Sequence, residues 1–566
     1  MAAWSTDGVN VHTAIGHDEI LEIPGLLNDM KCAHNAQFER VCLAALDSRL
    51  RGPRQWVDTM SLAAEYGYPR GLDSLAKALK VSPKDPAGAK LVRLFTVPAR
   101  DGSWNDETTH PLEWLDFISY CEQDVRTLAA VHLVLGGWPT RAEKDLWWAD
   151  QRINDRGLRI DAELCEVAAQ EVAQNRGWGK QEFAARTGVD NPNSVPQVMK
   201  WAAEAGLDLP NLRAESIQEL LKSPEVSEEH KELLELRQDI ALAAGGKFSA
   251  ALEAASPDGR IRGSFVFFGA HTGRWAGRGV QPQNLPRATI PSPEAAICDL
   301  HLGLGATPHE LKALVRSIFI GPLTVVDYSA IEARVVAWLA GEEWALQAFR
   351  DGRDIYQETA DRMGSGMTRF HGKVAVLALG YNGGINSLRA MGAEGTDDEL
   401  QRIVTVWRKT NARIVKLWAE MQEAIEYGGG VGKHLRVVRT GSSMRIELPS
   451  GRALHYHDVV WARYRDAVVK EGWRYANPRA GGAPIGTYGG RLVENVTQAI
   501  ARDILGEALV RLEEAGYRTV GHVHDEAIVE TTEVDQVVSI MTQTPTWATG
   551  LPIEASGFAT DRYRKE

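Results

Sequence analysis

The sequence predicts an α+β fold with more than one domain. The chain has 566 residues, which is too long for one hydrophobic core and therefore predicts at least two domains. Residues 323–326 form a short apolar, β-branched run that is typical of a buried strand, and apolar residues recur at helical spacing over 331–339. Residues 518–531 alternate apolar and polar positions around a tight turn, which predicts two further strands.

The first strand ends at an acid. Asp327 directly follows the apolar run, so its carboxylate is held on rigid backbone. Glu332 and Arg334 project from the first turn of the helix that follows. An acid at a strand end before a polar helix start is a layout suited to catalysis, although a solvated Asp at a strand end is also common.

The second strand pair carries more polar groups than a turn requires. We predict strands over 519–523 and 527–530, joined by a turn with three polar residues: His524, Asp525 and Glu526. The alternative is an ordinary polar turn. If the strands share a sheet with the first one, Asp525 can meet Asp327. Two such carboxylates are what a pair of Mg²⁺ ions needs for in-line phosphoryl transfer.

A third element lies between them along the chain. Its residues at intervals of four fan across one helix face: Arg369, Lys373, Leu377 and Tyr381. The two cations suit a triphosphate, and an aromatic ring near the Gly-rich end suits stacking on a base. A solvated amphipathic helix is the alternative, but it leaves Tyr381 and the glycines at 383–384 unexplained.

These residues resemble the motifs of a known family. DYSAIEAR at 327–334, RxxxKxxxLxxGY at 369–381 and VHDE at 523–526 are similar to motifs A, B and C of the family A DNA polymerases, the bacterial polymerase I group. Further matching blocks are LELRQ (234–238), GAHTGRW with QPQNLPR (269–287), LPSGRALHY (448–456) and TYGGRLVENVTQAIARDIL (487–505). The resemblance covers roughly residues 145–566 and is closest to the phage branch, which implies phage DNA replication.

The resemblance implies a right-hand polymerase with palm, fingers and thumb, preceded by a partial RNase H-like α/β domain of the exonuclease type. The expected boundaries are 1–137 for the truncated exonuclease-like domain and 138–566 for the polymerase, with the thumb at about 141–262, the palm at about 263–350 and 441–566, and the fingers at about 351–440. Residues 161–260 have helical periodicity, and 342–440 are expected to be mostly helical, with a glycine hinge or turn at 428–432.

The resemblance also implies roles for individual residues. It implies two Mg²⁺ ions held by Asp327 and Asp525 with Tyr328, and it makes Glu526 and Lys373 further catalytic groups. The expected deoxynucleotide contacts are Arg369, Lys373, Leu377, Tyr381, Glu332 and Tyr328. Glu332 would lie against the sugar of the incoming nucleotide, where it disfavours a 2′-hydroxyl.

Contacts to primer-template DNA are expected from side chains that donate hydrogen bonds in the minor groove. Acceptor atoms occur there at every correct base pair, so such contacts depend on the shape of the pair and not on its sequence. The candidates are Arg274, Gln498, His524, Arg287 and Arg491. Gln498, Arg491 and Glu494 share one helix face. The family usually has Asn where Glu494 stands.

The first unit resembles the DEDDy 3′-5′ exonucleases in part. Asn35 and Glu39 lie one turn apart on a predicted helix, and Tyr120 and Asp124 lie one turn apart on another. The DxE motif that supplies the other carboxylates of those enzymes is missing from the stretch upstream of Asn35. Because Mg²⁺ depends on its oxygen ligands, we predict that exonuclease activity is weak or absent.

Composition restricts the remaining possibilities. The net charge is −12, so cations that contact DNA must be concentrated in one cleft. Five dispersed cysteines and no apolar leader or membrane-length segment indicate a reduced cytoplasmic protein. We expect a monomer that binds primer-template DNA and dNTPs, without a membrane. Replisome partners are not specified, and two rivals remain, a 3′-5′ exonuclease and a non-catalytic primer-template binding protein.

Overall fold

The computed structural model describes residues 1–82, 88–241, 245–465 and 469–565. The first unit contains two small sheets and the long helix α6. Its elements are β1 (Ala2–Trp4), β2 (His12–Ala14), α1 (His17–Leu21), β3 (Lys31–Ala33), α2 (Ala36–Ala44), β4 (Trp56–Asp58), α3 (Thr59–Glu65), α4 (Leu72–Leu79), α5 (Gly88–Thr96) and α6 (Pro111–Leu135). Strands β3 and β4 are parallel, and the helix predicted to carry Glu39 is α2.

The next stretch is mainly helical, as its periodicity predicts. It comprises α7 (Arg141–Arg156), β5 (Leu158–Arg159), α8 (Ala162–Thr187), α9 (Val195–Glu204), α10 (Ala214–Lys222), α11 (Glu228–Ile240) and α12 (Gly246–Ala254). The side chain of Asp161 accepts a hydrogen bond from the main-chain N–H of Leu164 and so caps α8. The helices α8 to α11 enclose a core of their own around Phe183 and Leu234.

Three short strands and two helices lead to β9, the first strand of the central sheet along the chain. These elements are β6 (Arg260–Ile261), β7 (Phe265–Val266), β8 (Ala276–Gly277), α13 (Pro293–His301), α14 (Pro308–Leu314) and β9 (Ile320–Tyr328). A series of helices follows: α15 (Ile331–Ala340), α16 (Glu343–Arg350), α17 (Ile355–Met363), α18 (Arg369–Leu379), α19 (Ile385–Ala390), α20 (Asp397–Thr410) and α21 (Ala412–Tyr427). The prediction of helices over this range is confirmed.

The strands resume earlier than expected. A sheet of four strands follows α21: β10 (Gly429–Val431), β11 (Leu435–Thr440), β12 (Ser443–Glu447) and β13 (Ala453–Tyr456). Within the glycine run expected to form a hinge or turn, Gly432 lies in the turn between β10 and β11, but Gly429 and Gly430 belong to strand β10. That strand was not predicted because these two glycines have no side chains to show strand alternation and take their structure from pairing with β11.

The chain then completes the central sheet. Its remaining elements are β14 (Val460–Arg465), β15 (Val469–Ala476), β16 (Pro484–Gly486), α22 (Gly489–Glu514), β17 (Thr519–Val523), β18 (Glu526–Glu530), α23 (Val534–Met541) and β19 (Ala555–Arg562). The central sheet has the order β17-β18-β9-β19, and its neighbouring strands are antiparallel. Helices α22 and α23 pack against it, and α22 also contacts α15 and α21.

Two glycines set the position of α22. A Cβ atom at Gly489 would lie 2.1 Å from the carbonyl oxygen of Trp418, and one at Gly490 would lie 2.6 Å from that of Tyr381. Both approaches are to backbone, so a side chain could not be accommodated without moving α22. The adjacent glycines of TYGG thus bring this helix against α21 and the end of the motif B segment.

The first unit packs directly against the rest of the chain. Arg40 is fully buried and donates hydrogen bonds to Gln151 and Asp155, both at 2.5 Å. The rings of Tyr68 and His457 stack with centroids 4.2 Å apart. Within the described ranges, no helix combines the length and apolar character needed to cross a membrane. The expected domain boundaries remain predictions.

Candidate active site

The central sheet brings Asp327 and Asp525 together at one end of its two inner strands, β9 and β18. Asp327 of β9 lies opposite Glu526 of β18, and Asp525 immediately precedes that strand. The main-chain N–H of Tyr328 donates a 3.3 Å hydrogen bond to the carbonyl of Asp525. His524 completes the turn with a φ of 59°. The strands on either side of Asp525 share a sheet with β9, which is the condition under which Asp525 was expected to meet Asp327.

The acids at this end of the sheet repel each other. Burial, together with the charge of Asp327, raises the pKa of Asp525 to about 6. Burial raises the pKa of Glu526 to about 7. Glu526 lies within β18 rather than in the turn, and it is 2% exposed. The site therefore holds several carboxylates close together, where burial and mutual repulsion disfavour their ionised forms.

The donor set fits a divalent cation that shares its ligands with a substrate. Oδ1 of Asp327 is buried and accepts no hydrogen bond from the protein. Within the described ranges, no group of three or more His, Cys, Asp or Glu side chains is arranged to hold a metal ion. Mg²⁺ is commonly bound by one or two carboxylates with water and substrate phosphates. Asp327 and Asp525 suit that kind of site rather than an all-protein cage.

A cation that the sequence did not predict lies against these acids. The ammonium nitrogen of Lys565 is 3.3 Å from Oδ2 of Asp327 and 3.5 Å from Oε2 of Glu526. Its segment follows β19, and the only sequence signal is the basic run RYRK at 562–565. Nothing in that run predicts a fold back to motifs A and C.

Glu332 accepts hydrogen bonds from two residues, Arg274 and Tyr381, for which separate roles were predicted. Its Oε1 accepts a 2.6 Å hydrogen bond from Nη2 of Arg274, and its Oε2 accepts a 3.0 Å hydrogen bond from the hydroxyl of Tyr381. Burial and the Glu332 charge raise the pKa of Tyr381 well above its usual range. We call Arg274, Glu332 and Tyr381 the bridged triad. It spans the loop after β7, the start of α15 and the segment after α18.

The helix of motif B begins where predicted but is shorter. It ends at Leu379, so Tyr381 lies beyond it rather than on its face. Gly380 still has right-handed helical backbone, whereas Asn382 is left-handed with a φ of 66°. The chain therefore leaves the helix here, and the Tyr381 hydroxyl reaches Glu332. A Cβ at Gly372 would lie 1.9 Å from the Tyr356 carbonyl oxygen, so α17 and α18 are in close contact.

The cations of this helix are on its exposed side. Arg369, Lys373 and Leu377 are all exposed, which leaves them accessible to a ligand. Nε of Arg369 donates a 2.5 Å hydrogen bond to Asp354. A triphosphate that binds Arg369 must therefore compete with Asp354, a partner that the sequence analysis did not identify.

The side chain of Tyr328 lies away from the acids, and its roles in metal and nucleotide binding remain predictions. Its ring is 3% exposed, and its hydroxyl donates a 2.7 Å hydrogen bond to the Met541 carbonyl. The alternation of side chains along β9 directs Tyr328 to the face opposite Asp327, into the core beneath α23. Only its main chain lies close to the acids.

The candidate DNA contacts differ in accessibility. Arg287 and His524 are exposed, and the pKa of His524 is lowered by loss of hydration and by the charges of Arg274, Lys565 and Arg287. Gln498 donates a 3.3 Å hydrogen bond to Glu494. Arg491 donates a 2.9 Å hydrogen bond to the Gly486 carbonyl. Their roles in DNA binding remain predictions.

The exonuclease-like residues lie in α2 and α6, with Asn35 as the cap of α2 in a left-handed conformation, φ 74°. Oε2 of Glu39 is buried without a hydrogen-bond partner, and burial raises the pKa of Glu39 to about 7. The ring of Tyr120 packs against Gly88, and Asp124 lies one turn further along α6. The sequence analysis missed the buried Asp58 at the end of β4, although an Asp before Thr and Met at a helix start is a recognisable cap.

This chain is similar to known DNA polymerases in sequence and in structure. A family model described as DNA polymerase family A matches residues 200–388. A DNA polymerase of Bacillus phage SP02 is 39% identical, over 95% of this chain and 90% of the phage protein. The thermostable DNA polymerase I of Thermus aquaticus is 28% identical, but the match spans 38% of this chain and 24% of that enzyme. A solved POL domain of Pol1 from M. smegmatis, in complex with DNA primer-template and dNTP, has a TM-score of 0.63 at 18% identity and covers 96% of this chain and 88% of that one.

Proposed function

Since this chain belongs to the family A DNA polymerases and its activity is template-directed DNA synthesis, we propose that Asp327 and Asp525 are the carboxylates at which a primer is extended. The observation that carries this proposal is the pairing of β9 with β18, which places the two aspartates together at one end of the sheet. The primer 3′-hydroxyl attacks the α-phosphate of a bound dNTP, and pyrophosphate leaves.

The acids supply the carboxylate ligands for the divalent cations of the reaction. Asp327 and Asp525, with main-chain oxygen from Tyr328, would hold two Mg²⁺ ions, which supply activation of the attacking hydroxyl and charge neutralisation of the leaving group when bound. Glu526 lies beside them and adds negative potential to the same end of the sheet. The buried, unpaired Oδ1 of Asp327 supports this assignment, because an unpartnered carboxylate oxygen is otherwise costly.

The cations of α18 bind the triphosphate. Lys373 and Arg369 lie one turn apart on the exposed side of the helix, and each places a positive charge on the approach to the acids. Arg369 exchanges Asp354 for the nucleotide, so part of its binding energy is offset by the lost ion pair. Leu377, 46% exposed on the same side, contributes apolar surface near the sugar and base.

The bridged triad selects the sugar. Glu332 is held by Arg274 and Tyr381 from both sides, which fixes its carboxylate instead of leaving it free to move away. A 2′-hydroxyl placed against a carboxylate in that position meets a steric conflict. Glu332→Ala should therefore raise ribonucleotide incorporation by about tenfold or more, the scale of one lost discriminating contact. Competing dNTP and rNTP extension measures this ratio, and unchanged selectivity would contradict the assignment.

Primer extension tests the main proposal. A labelled primer annealed to a longer template is incubated with dNTPs and Mg²⁺, and products are separated by length. Asp525→Ala should abolish extension while leaving primer-template binding, measured by fluorescence anisotropy, largely intact. Asp535→Ala is the matched control, because Asp535 is an exposed acid on α23 and its loss should leave extension unchanged. Appreciable extension by Asp525→Ala would refute the proposed role.

Contacts to the duplex complete the proposed function. We infer that Arg274, Arg287, Arg491, Gln498 and His524 line the path of the primer-template. Support comes from the shared electrostatic environment of His524, Arg274 and Arg287. We also propose that the protein acts as a monomer in the cytoplasm of a phage-infected host.

A further inference from the structure

We propose that Lys565 is a built-in counter-ion of the acid cluster, which neutralises Asp327 and Glu526 in the cation-free protein and leaves that position when a divalent cation binds. The inference rests on the proposed cation site and extends it to a residue outside the three polymerase motifs. It assigns the segment after β19, residues 563–565, a role in controlling access to the acids.

The segment is anchored beside the acids by its neighbours. Tyr563 is fully buried, its hydroxyl donates a 2.6 Å hydrogen bond to Oε1 of Glu526, and it accepts a 2.9 Å hydrogen bond from Nη1 of Arg316. Arg562 donates a 2.7 Å hydrogen bond to Asp161. These contacts hold the backbone in place, so the long side chain of Lys565 is the part that can move.

The ammonium of Lys565 faces more than one acid. It lies 3.3 Å from Asp327 and 3.5 Å from Glu526, and its charge also acts on Asp525. Its side chain is 19% exposed, so the ion pairs are partly shielded from water. An acid cluster of this kind needs a positive charge when it holds no metal, because buried like charges repel each other.

Two cations at one carboxylate repel each other. The ammonium of Lys565 is paired with Oδ2 of Asp327, and a divalent cation at the unpaired Oδ1 would lie close beside it. A divalent cation would bind Asp327 at a shorter distance than the ammonium does, about 2.0 to 2.1 Å for Mg²⁺. The two positive charges would then share one carboxylate at close range. Lysine suits such an exchange, since its charge is compact and its four-carbon stem is flexible. The space that the ammonium leaves is then available to the triphosphate or the primer.

The test compares two substitutions of adjacent cations. Lys565→Met removes the charge but keeps an unbranched side chain of similar length. Arg564→Met removes a charge from the neighbouring residue, whose side chain is exposed and lies over the ring of Phe558. Binding of Mn²⁺ to each protein without DNA or nucleotide is measured by electron paramagnetic resonance of the free ion, and Asp525→Asn shows how much binding belongs to the acid cluster.

We expect Lys565→Met to bind Mn²⁺ about five- to tenfold more tightly than the unmodified chain, which is the scale of one partly shielded ion pair. Arg564→Met should bind with unchanged affinity. Equal affinity for Lys565→Met and the unmodified chain would overturn the inference, while the proposed cation site would stand. If Asp525→Asn binds as much Mn²⁺ as the unmodified chain, the acid cluster does not bind the ion. Both the proposed cation site and the inference are then overturned.

A second measurement detects the displacement itself. Amine acetylation followed by peptide mass spectrometry reports the accessibility of Lys565, with Lys200 of α9, whose side chain is 77% exposed, as the internal reference. Mg²⁺ should increase acetylation of Lys565 severalfold and leave that of Lys200 unchanged. Acetylation of Lys565 that does not respond to Mg²⁺ would show that the ammonium stays in place, and would overturn the displacement.

Discussion

Two acids at strand ends of this chain differ in their hydrogen bonding. In the first unit, Asp58 at the end of β4 accepts hydrogen bonds from the main-chain N–H groups of Asn35, Ala36 and Met60 and from the Ser61 hydroxyl. In the central sheet, Oδ1 of Asp327 accepts none. Both acids lie at strand ends beside a helix start. An acid whose oxygens are all engaged stabilises its fold, whereas an acid with a free oxygen remains available to a ligand.

The largest expected difference between the two acids is in catalysis. Asp327→Asn should lower the rate of primer extension by about a thousandfold or more, since charge stabilisation at the reacting phosphate is lost. The melting temperature of the cation-free protein should change little, because relief of the repulsion with Asp525 offsets loss of the ion pair with Lys565. Single-turnover extension and thermal unfolding measure the two effects. If the rate of extension by Asp327→Asn stays within tenfold of that of the unmodified chain, Asp327 does not differ from Asp58 in its importance for catalysis.

The next effect concerns stability. Asp58→Ala should cost about 2 to 3 kcal/mol of folding free energy, because it leaves three main-chain donors of α2 and α3 without their partner. Urea unfolding measures the cost, with Asp101→Ala as the control, since Asp101 is an exposed loop acid that accepts from Ser103. Extension per folded molecule should be unchanged at 25 °C. A loss of extension without a loss of stability would give Asp58 a role in catalysis.

A smaller effect follows from the raised pKa of Glu39. Its pKa rises from 4.5 to about 7 because it is buried, so between those values the folded state binds more protons than the unfolded state. Stability is therefore favoured below pH 4.5 and falls as pH rises towards 7. Glu39→Gln cannot ionise and should lose less stability between pH 5 and pH 8. Equal losses in the two proteins, measured by urea unfolding, would show that Glu39 is not shielded from water in solution.

The smallest expected effect is on removal of a mismatched 3′ end. The unmodified chain should shorten such a primer slowly or not at all without dNTPs, and Glu39→Ala should leave that rate unchanged. Gel analysis of a labelled mismatched primer measures it, with Asp327→Asn included to exclude a contribution from the palm. Rapid shortening that Glu39→Ala abolishes would show an active exonuclease, and the prediction of a weak or inactive unit would then be wrong.

Local elements were predictable because they depend on neighbours in the chain. The apolar run before Asp327, the helix from Ile331, the hairpin around Asp525 and the start of α18 all follow from period and turn chemistry. The end of α18 was less predictable, because the register of four continues to Tyr381 in the sequence while the helix ends at Leu379 and the backbone is left-handed at Asn382. Strand β10 within the run at 428–432 was not predicted, because its glycines have no side chains to show strand alternation.

The sequence alone determined the chemical groups, the strands and helices that carry them, and the family to which they belong. Only the tertiary structure decided how those groups meet: Asp327 beside Asp525, Glu332 between Arg274 and Tyr381, and Lys565 against the acids. Tyr328, buried beneath α23, shows the same dependence, because its face is fixed by strand packing. Such contacts join segments far apart in the chain, and their geometry depends on register and packing, which no local pattern specifies.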